Sequence, residues 1–335
     1  MRIVIAGAGA IGAYIGARLA RAGADVVLHA RGAHLRAMQE RGVRVHSAEG
    51  DFEVRPVVTG DLTSIGTADV VLLGVKAHAL TALAPQLRPL LGPQTVVVST
   101  QNGIPWWYFQ NHGGPLDGLR LERIDPGGVI ASAIEPHRVI GSLIYFATDI
   151  IEPGVIHYTE GNRITLGEPS GEKSERCRAL ADALIAAGFK CPVTTRFRSE
   201  IWVKLLGNIA FNPISALTRA TMDQLTHHPE VIRLVREVMT ETEAVAKKLD
   251  IELPISIDQR IAGAQKVGAH KTSMLQDLEA GRPIELEAIV GAAIELGERL
   301  DVPMPSTRAV YACAKLLDEE SRRAAMPQRE EVVRS

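Results

Sequence analysis

A short β-branched segment at the amino terminus leads directly into a glycine turn and then into a helical pattern. Residues 2–6 read RIVIA, and Gly7, Gly9 and Gly12 follow with the spacing GxGxxG. In this spacing the first glycine permits a tight turn, the second lets the backbone approach a pyrophosphate, and the third allows close helix packing. The order strand, glycine turn, helix therefore predicts a dinucleotide-binding α/β domain, with a merely structural turn as the alternative. The predicted cofactor-binding residues here are Gly7, Gly9, Ala10, Ile11 and Gly12.

The remaining patterns predict two domains. Continuous apolar runs at residues 69–75 and 95–99 are typical of parallel strands covered by helices on both faces. Residues 1–195 therefore predict a Rossmann-type, doubly wound α/β domain. It would include a strand over 52–58, and three strand-like runs between about 139 and 166 that are interrupted at Pro153-Gly154 and at Gly161-Asn162. A helix over 174–187 and a strand over 189–193 would complete it.

Only helical patterns recur from residue 196 onward. Residues 196–320 therefore predict an all-helical substrate or catalytic domain, and residues 321–335 a polar tail. The predicted helices cover residues 199–217, 230–249, 256–267, 273–280, 284–300 and 306–320.

Charge and cysteine content exclude several classes of protein. The 335 residues contain 37 Lys and Arg against 39 Asp and Glu, a formal net charge of −2. This balance provides no broad basic surface, so neither nucleic acid nor a membrane is expected as a partner. Three cysteines without CxxC spacing predict no disulfide framework and no zinc site, which fits a reducing, cytoplasmic compartment. No metal is expected.

The end of the second predicted strand bears on the choice of cofactor. NAD-binding domains place an Asp or Glu there, about 20 residues after the glycines, to accept the ribose 2′-hydroxyl. Residues 26–39 contain no acid, and Arg31 stands in this region with Arg36 as a possible second cation. A guanidinium pairs well with a 2′-phosphate, so NADP(H) is the predicted cofactor. The alternative is that Arg31 only decorates the start of a solvated helix.

Segment 201–213 carries three polar side chains among apolar neighbours. Lys204, Asn208 and Asn212 are spaced i, i+4 and i+8, so in a helix they fall on one stripe. A solvated face would instead show Glu and Lys pairs, so these groups are expected to face a polar cavity or each other. Lys204 can give a proton to a developing alkoxide and stabilise its charge. Pro213 is expected to bend the helix. The alternative interpretation of the three polar residues is a buried network with a structural role.

These and other motifs resemble the ketopantoate reductases, the 2-dehydropantoate 2-reductases of pantothenate biosynthesis. The resemblance runs from residue 1 to roughly residue 317. The motifs that carry it, in the order of the family, are GAGAIG at 7–12, Val75-Lys76, Gln101-Asn102-Gly103, Lys204-x3-Asn208-x3-Asn212-Pro213, and Ser273-Met-Leu-Gln-Asp277 followed by Glu285.

The resemblance implies a two-domain reductase that uses NADPH to reduce a small 2-oxo acid, with the substrate in a cleft. Lys204 would be the general acid, and Glu285 would order the substrate hydroxyl and the lysine. The implied substrate-binding residues are Asn208, Asn212, Ser273 and Asn102, and Lys76 and Asn102 would lie at the cofactor edge of the sheet. The implied substrate is 2-dehydropantoate, and a homodimer is a possible assembly.

Each implied role has a structural alternative. Ser273 and Gln276 fit the capping box S-x-x-Q, so the serine could simply start a helix. Glu285 follows Pro283 in what reads as a first helical turn, where a carboxylate complements the helix dipole anyway. Lys76 could be an exposed loop lysine, and Asn102-Gly103 could be only a turn.

Two departures from the family bear on the substrate. Some members that form pantoate carry a further asparagine about ten residues after Asn212, where this chain has Met222. Trp106 and Trp107 lie in an insertion and are expected to cover the domain or to line the substrate entrance. A reductase of another 2-oxo or 3-oxo acid and a non-catalytic NADP(H) sensor are therefore the alternative functions.

Overall fold

The structure, a computed structural model, describes residues 1–325. The chain divides into two compact units, Met1–Arg198 and a second that begins at Ser199, whereas the sequence places a boundary between residues 195 and 196. Part of the predicted polar tail is helical, because the last helix continues to Ala325. The rest of that tail, residues 326–335, lies outside the described residues. No helix among residues 1–325 combines the length and the apolar character needed to cross a membrane.

A mixed sheet forms the centre of the first unit. Its strands, in chain order, are β1 Arg2–Ala6, β2 Asp25–His29, β3 Val43–His46, β4 Phe52–Val54, β5 Val57–Thr59, β6 Ala68–Leu73, β7 Leu91–Ser99, β8 Val139–Glu152 and β9 Val155–Gly167. They lie in the order β4-β3-β9-β8-β7-β6-β1-β2-β5. The strands from β5 to β8 in this order are all parallel. β9 pairs antiparallel with β8 and parallel with β3, whose other neighbour is the antiparallel β4.

The first unit contains five α-helices: α1 Ala10–Arg21, α2 Gly32–Arg41, α3 Leu80–Leu83 and α4 Val129–Ala133, which lie between strands, and α5 Glu175–Ala186, which follows the last strand. The core lies between helices and sheet, where Ile3, Ile5 and Leu28 are fully buried. Helix α1 packs very closely on β2, since a Cβ on Gly16 would lie 2.4 Å from Leu28 Cδ2.

Three strand predictions for the first unit need correction. The strand expected over 52–58 is two strands with different partners, β4 and β5, separated at Pro56, which has no N–H to donate. Gly161 does not end a strand, because it takes φ +76° and absorbs a register shift inside β9. Residues 189–193 make only isolated bridges, Arg163 to Lys190 and Leu166 to Val193, and no strand.

Within residues 199–325 the secondary structure of the second unit is helical, with loops between the helices, and its first helix begins two residues before the boundary. The α-helices are α6 Phe197–Thr218, α7 Met222–His227, α8 Pro229–Lys248, α9 Ile257–Gln265, α10 Ser273–Glu279, α11 Ala292–Arg299 and α12 Pro305–Ala325. Helix α7 has no counterpart in the sequence prediction. The helix predicted over 284–300 begins with a π-helical turn, Glu287–Gly291. The predicted fold class, a Rossmann-type α/β domain and an all-helical domain, is confirmed.

Candidate active site

The glycine turn after β1 is built from close backbone contacts. Gly7 takes φ +100°, and a Cβ on it would lie 2.2 Å from Val75 Cγ1. A Cβ on Gly12 would lie 2.5 Å from the Gly7 carbonyl oxygen, so α1 starts almost in contact with the turn. At Gly9 the nearest such atom is the Gly74 carbonyl oxygen at 3.8 Å, which leaves this position open. The three glycines thus serve the turn, the open approach and the close packing that the motif predicts.

Gly74, directly after β6, packs against this turn and was not among the residues predicted from the sequence. A Cβ on Gly74 would lie 2.3 Å from the Gly7 carbonyl oxygen, and the Gly74 N–H donates to the Ala6 carbonyl at 3.0 Å. Its signal is a glycine directly after a buried apolar strand. Helix α1 carries no acidic residue in its first turn and has no side-chain cap at Gly9. Its N-terminus is therefore suited to an anion.

The other predicted cofactor residues follow parallel strands, so they lie at the same edge of the sheet as the glycine turn. Arg31 follows β2, Lys76 follows β6, and Asn102 follows β7. Gln101 joins two of these strand ends, because its Nε2 donates to the carbonyls of Leu73 and Val75 at 2.9 and 2.8 Å. Open α/β sheets bind ligands at this edge, where the chain crosses from one side of β1 to the other.

The local roles named as alternatives for Asn102 and Lys76 have different outcomes. Gly103 takes φ +87°, and the chain bends at Asn102-Gly103. Lys76 is half-buried rather than exposed and precedes a 3₁₀ turn, Ala77–Ala79.

Arg31 occupies the N-cap position of α2, and its side chain is exposed and makes no capping hydrogen bond. The nearest acid of the strand, Asp25, lies at the opposite end of β2, 3.8 Å from Arg2 Nε. Burial lowers the pKa of His29 and of His34, and the Arg31 charge lowers the pKa of His29 further. Both histidines are therefore held neutral at pH 7, and Arg31 supplies positive charge at the end of β2.

Helix α6 carries Lys204, Asn208 and Asn212 in one unbroken run of 22 residues. The helix continues through Pro213 to Thr218, so all three polar residues share one stripe as predicted. Lys204 and Asn208 are half-buried, and Asn212 is only 6% exposed. The neighbours Trp202 and Leu205 are fully buried. The stripe is thus a polar line within an otherwise apolar segment, residues 201–213 of α6.

A second group of predicted site residues lies along one segment of the second unit. Ser273 is the first residue of α10, but the cap of that helix is Thr272, whose Oγ1 accepts from Leu275 N at 3.3 Å. The capping box expected from Ser273 and Gln276 is therefore wrong, because a hydroxyl one residue earlier takes this role. The Ser273 side chain is exposed.

Asp277 and Arg282 shape the loop between Ser273 and Glu285. Asp277, only 5% exposed, accepts from Arg282 Nε at 3.0 Å, and its carbonyl accepts from Arg282 N at 2.8 Å. This pair closes the loop after α10, three residues before Glu285. In the sequence Asp277 stands out only as part of a motif, and no local pattern marks Arg282.

Glu285 is half-buried and directly precedes the helical residues, rather than lying inside a first helical turn. The next residues form the π-helical turn Glu287–Gly291. Such turns are rare, and they occur frequently at functional sites. Glu285 therefore lies beside the N-terminal end of this turn.

Trp106 and Trp107 are packing residues of the first unit, 5% and 1% exposed. Trp107 Nε1 donates to Ser99 Oγ at 2.8 Å, and a Cβ on Gly141 would lie 2.7 Å from the Trp107 ring. Arg198 fixes the insertion further, with hydrogen bonds to the carbonyls of Tyr108 and Gln110 at 3.0 and 2.9 Å. This arrangement fits the interpretation of the tryptophans as a cover of the domain.

A glycine turn for a dinucleotide on one unit and a lysine–asparagine stripe on the other define a two-domain, dinucleotide-dependent oxidoreductase. Residues 3–108 match the family model for ketopantoate reductase PanE/ApbA, and residues 196–318 match the model for its C-terminal domain. A 2-dehydropantoate 2-reductase of Mesorhizobium japonicum is 49% identical over 322 residues, 96% of this chain and 98% of that protein. The chain belongs to the ketopantoate reductase family.

Solved structures agree with this assignment. A putative ketopantoate reductase from Ralstonia solanacearum has a TM-score of 0.91 and 38% identity, over 95% of this chain and 98% of its own. D-mandelate dehydrogenase in a ternary structure with NADH and anilino(oxo)acetate shares the fold, with a TM-score of 0.82 and 20% identity over 96% and 99% of the two chains.

Proposed function

We propose that the protein reduces 2-dehydropantoate to pantoate and that its cofactor is NADPH. The observation that carries the proposal is the stripe of Lys204, Asn208 and Asn212 on one helix, within a segment that is otherwise apolar. Reduction of a ketone needs a proton donor for the developing alkoxide, and an ammonium group provides both the proton and a stabilising charge. Membership of the ketopantoate reductase family supports the choice of substrate.

Residues of the first unit would hold the cofactor. The glycine turn and the N-terminus of α1 would bind the pyrophosphate, and Lys76 and Asn102 would lie near the reacting end. When bound, the nicotinamide supplies the hydride. Arg31 would pair with the 2′-phosphate, because it is exposed at the end of β2 and residues 26–39 contain no acid to accept a 2′-hydroxyl. This feature favours NADPH over NADH.

Residues of the second unit, with Asn102, would bind and protonate the substrate. Lys204 would be the general acid, and the amides of Asn208, Asn212 and Asn102 would orient the keto acid. Ser273 is exposed and is not used as the helix cap, so its hydroxyl can bind one end of the substrate. Glu285 would order the substrate hydroxyl and keep Lys204 protonated.

The proposal is tested by following the loss of NADPH absorbance with a panel of keto acids. The panel contains 2-dehydropantoate, a branched 2-oxo acid without the hydroxyl, an aryl 2-oxo acid and a 3-oxo acid. We expect the highest kcat/KM with 2-dehydropantoate, because both Ser273 and Glu285 can bind its hydroxyl. A clearly higher kcat/KM for another acid would show that this acid is the substrate instead. No turnover with any acid of the panel would favour the NADP(H) sensor.

The homodimer suggested by the sequence stays a prediction, which sedimentation of the purified protein would test.

A further inference from the structure

Helix α6 contains a glycine whose place is taken by a side chain of another helix. Gly207 is a buried residue in the middle of α6. A Cβ on it would lie 1.9 Å from Arg260 Nη2 and 2.4 Å from Arg260 Cζ. The guanidinium therefore lies directly on the backbone of α6. A glycine inside a helix is unfavourable by roughly 1 kcal/mol relative to alanine, and close approach of another group is a common reason for one.

Helix α9, which carries Arg260, is fixed at its start. Ser256 and Gln259 form a reciprocal capping box at its start, with hydrogen bonds of 2.8 and 3.1 Å. Asp258 binds Arg236 Nη2 of α8 at 2.7 Å. The Arg260 side chain is itself half-buried, and its Nε atom is inaccessible to solvent. The guanidinium is thus preorganised rather than a mobile surface group.

The position of Arg260 relative to the proposed proton donor follows from the helix register. Lys204 and Gly207 are residues i and i+3 of α6, so they are adjacent on the same side of the helix, with Cβ positions about 5–6 Å apart. In a 2-oxo acid the carboxylate is bonded directly to the carbon that the hydride attacks. A group that binds this carboxylate must therefore lie beside the group that protonates the carbonyl oxygen.

We infer that Arg260 binds the carboxylate of the 2-oxo acid substrate and so selects acids over neutral ketones. The inference rests on the proposed function. Guanidinium groups bind carboxylates through two parallel N–H donors, which fixes orientation as well as charge. A cation beside Lys204 also makes this part of α6 attractive to an anion. The assignment leaves the exposed Ser273 for the hydroxyl end of the substrate.

The experiment compares 2-dehydropantoate with its carboxamide, which keeps the ketone and loses the negative charge. In the Arg260→Gln variant we expect kcat/KM for the acid to fall about 10- to 100-fold, as for loss of a charge-assisted contact, while the value for the amide changes little. The effect should lie mainly in KM, because the carboxylate is bound equally in ground and transition states. Arg233→Gln, an exposed arginine of α8, is the matched control.

Gly207→Ala provides a second route to the same result. The new methyl group displaces the guanidinium from α6 without removing its charge, and alanine favours the helix, so the fold is not weakened through helix propensity. We expect the same selective loss with the acid. This variant keeps the test decisive if Arg260→Gln folds poorly.

The outcomes separate the two proposals. Equal losses for acid and amide would overturn the carboxylate assignment and make Arg260 a packing residue of α6, while leaving the proposed reduction intact. If the wild type reduces no 2-oxo acid at all, the proposed function fails, and the carboxylate assignment falls with it.

Discussion

The two units prepare their sites in opposite ways. The cofactor turn of the first unit is made of backbone, and it forms because side chains are absent: no Cβ fits at Gly7, Gly12 or Gly74. The candidate substrate residues of the second unit are side chains, carried by α6, α9 and α10 and by the loop before the π-helical turn. A backbone site is damaged by adding atoms, whereas a side-chain site is damaged by removing them. Substitutions that enlarge residues and substitutions that truncate them should therefore separate the units.

The largest effect is expected from truncation in the second unit. Lys204→Ala should lower kcat by about 10² or more, as for loss of a positioned proton donor, with little change in NADPH affinity. Steady-state kinetics and a cofactor titration measure both quantities, and Lys247→Ala on the exposed face of α8 serves as the control. Unchanged kcat with a raised KM would make Lys204 a binding residue instead.

Arg31 is the exception in the first unit, because there a side chain is expected to recognise the ligand. Arg31→Ala should weaken the binding of NADPH by roughly 1.5–3 kcal/mol, the value of a charge-assisted contact, and leave the binding of NADH almost unchanged. NADH titrated against the same variant is the internal control, since it lacks only the 2′-phosphate. Equal losses for the two cofactors would remove the arginine from the cofactor site.

The sequence predicts a feature well when its physical cause lies within a few consecutive residues. The glycine turn and the stripe on α6 are of this kind, since a turn needs only neighbouring glycines and a helix places every fourth residue on one side. Local rules failed where two neighbours compete. Both Thr272 and Ser273 can cap α10, and the sequence does not show that Thr272 takes the position.

Features that depend on distant contacts could not be predicted. Gly207 and Arg260 are far apart in sequence, and neither belongs to a recognisable motif. The same holds for Gly74 against Gly7, which meet only because β6 lies beside β1. The segment 189–193 has strand composition, but it makes only two isolated bridges, and pairing is a property of the sheet rather than of the segment.

Two added methyl groups in the glycine turn should have different effects. Gly12→Ala would place a Cβ 2.5 Å from the Gly7 carbonyl oxygen and 2.9 Å from Ile5 Cγ2, so unfolding free energy should fall by about 1–3 kcal/mol. Gly9→Ala has open space, with its nearest atom at 3.8 Å, so stability should hold while NADPH binding weakens. Chemical denaturation and a cofactor titration distinguish them. Equal destabilisation would show that Gly9 serves packing rather than ligand approach.

The smallest effect is expected from a substitution that keeps shape and changes charge. If Glu285 orders Lys204, Glu285→Gln should lower kcat/KM about tenfold, because an anion that favours the protonated lysine is lost. A proton donor acts only below its own pKa, so kcat/KM falls on the alkaline side as the lysine deprotonates. Losing the anion eases that deprotonation, and the alkaline limb should therefore move to lower pH.

If Glu285 only complements the helix that follows, the variant should lose about 0.3–1 kcal/mol of stability with unchanged kinetics. A pH–rate profile beside a thermal melt decides between these roles, with Glu298→Gln of the exposed Arg308 pair as the control; an unmoved alkaline limb with a lower melting temperature would take Glu285 out of the chemistry.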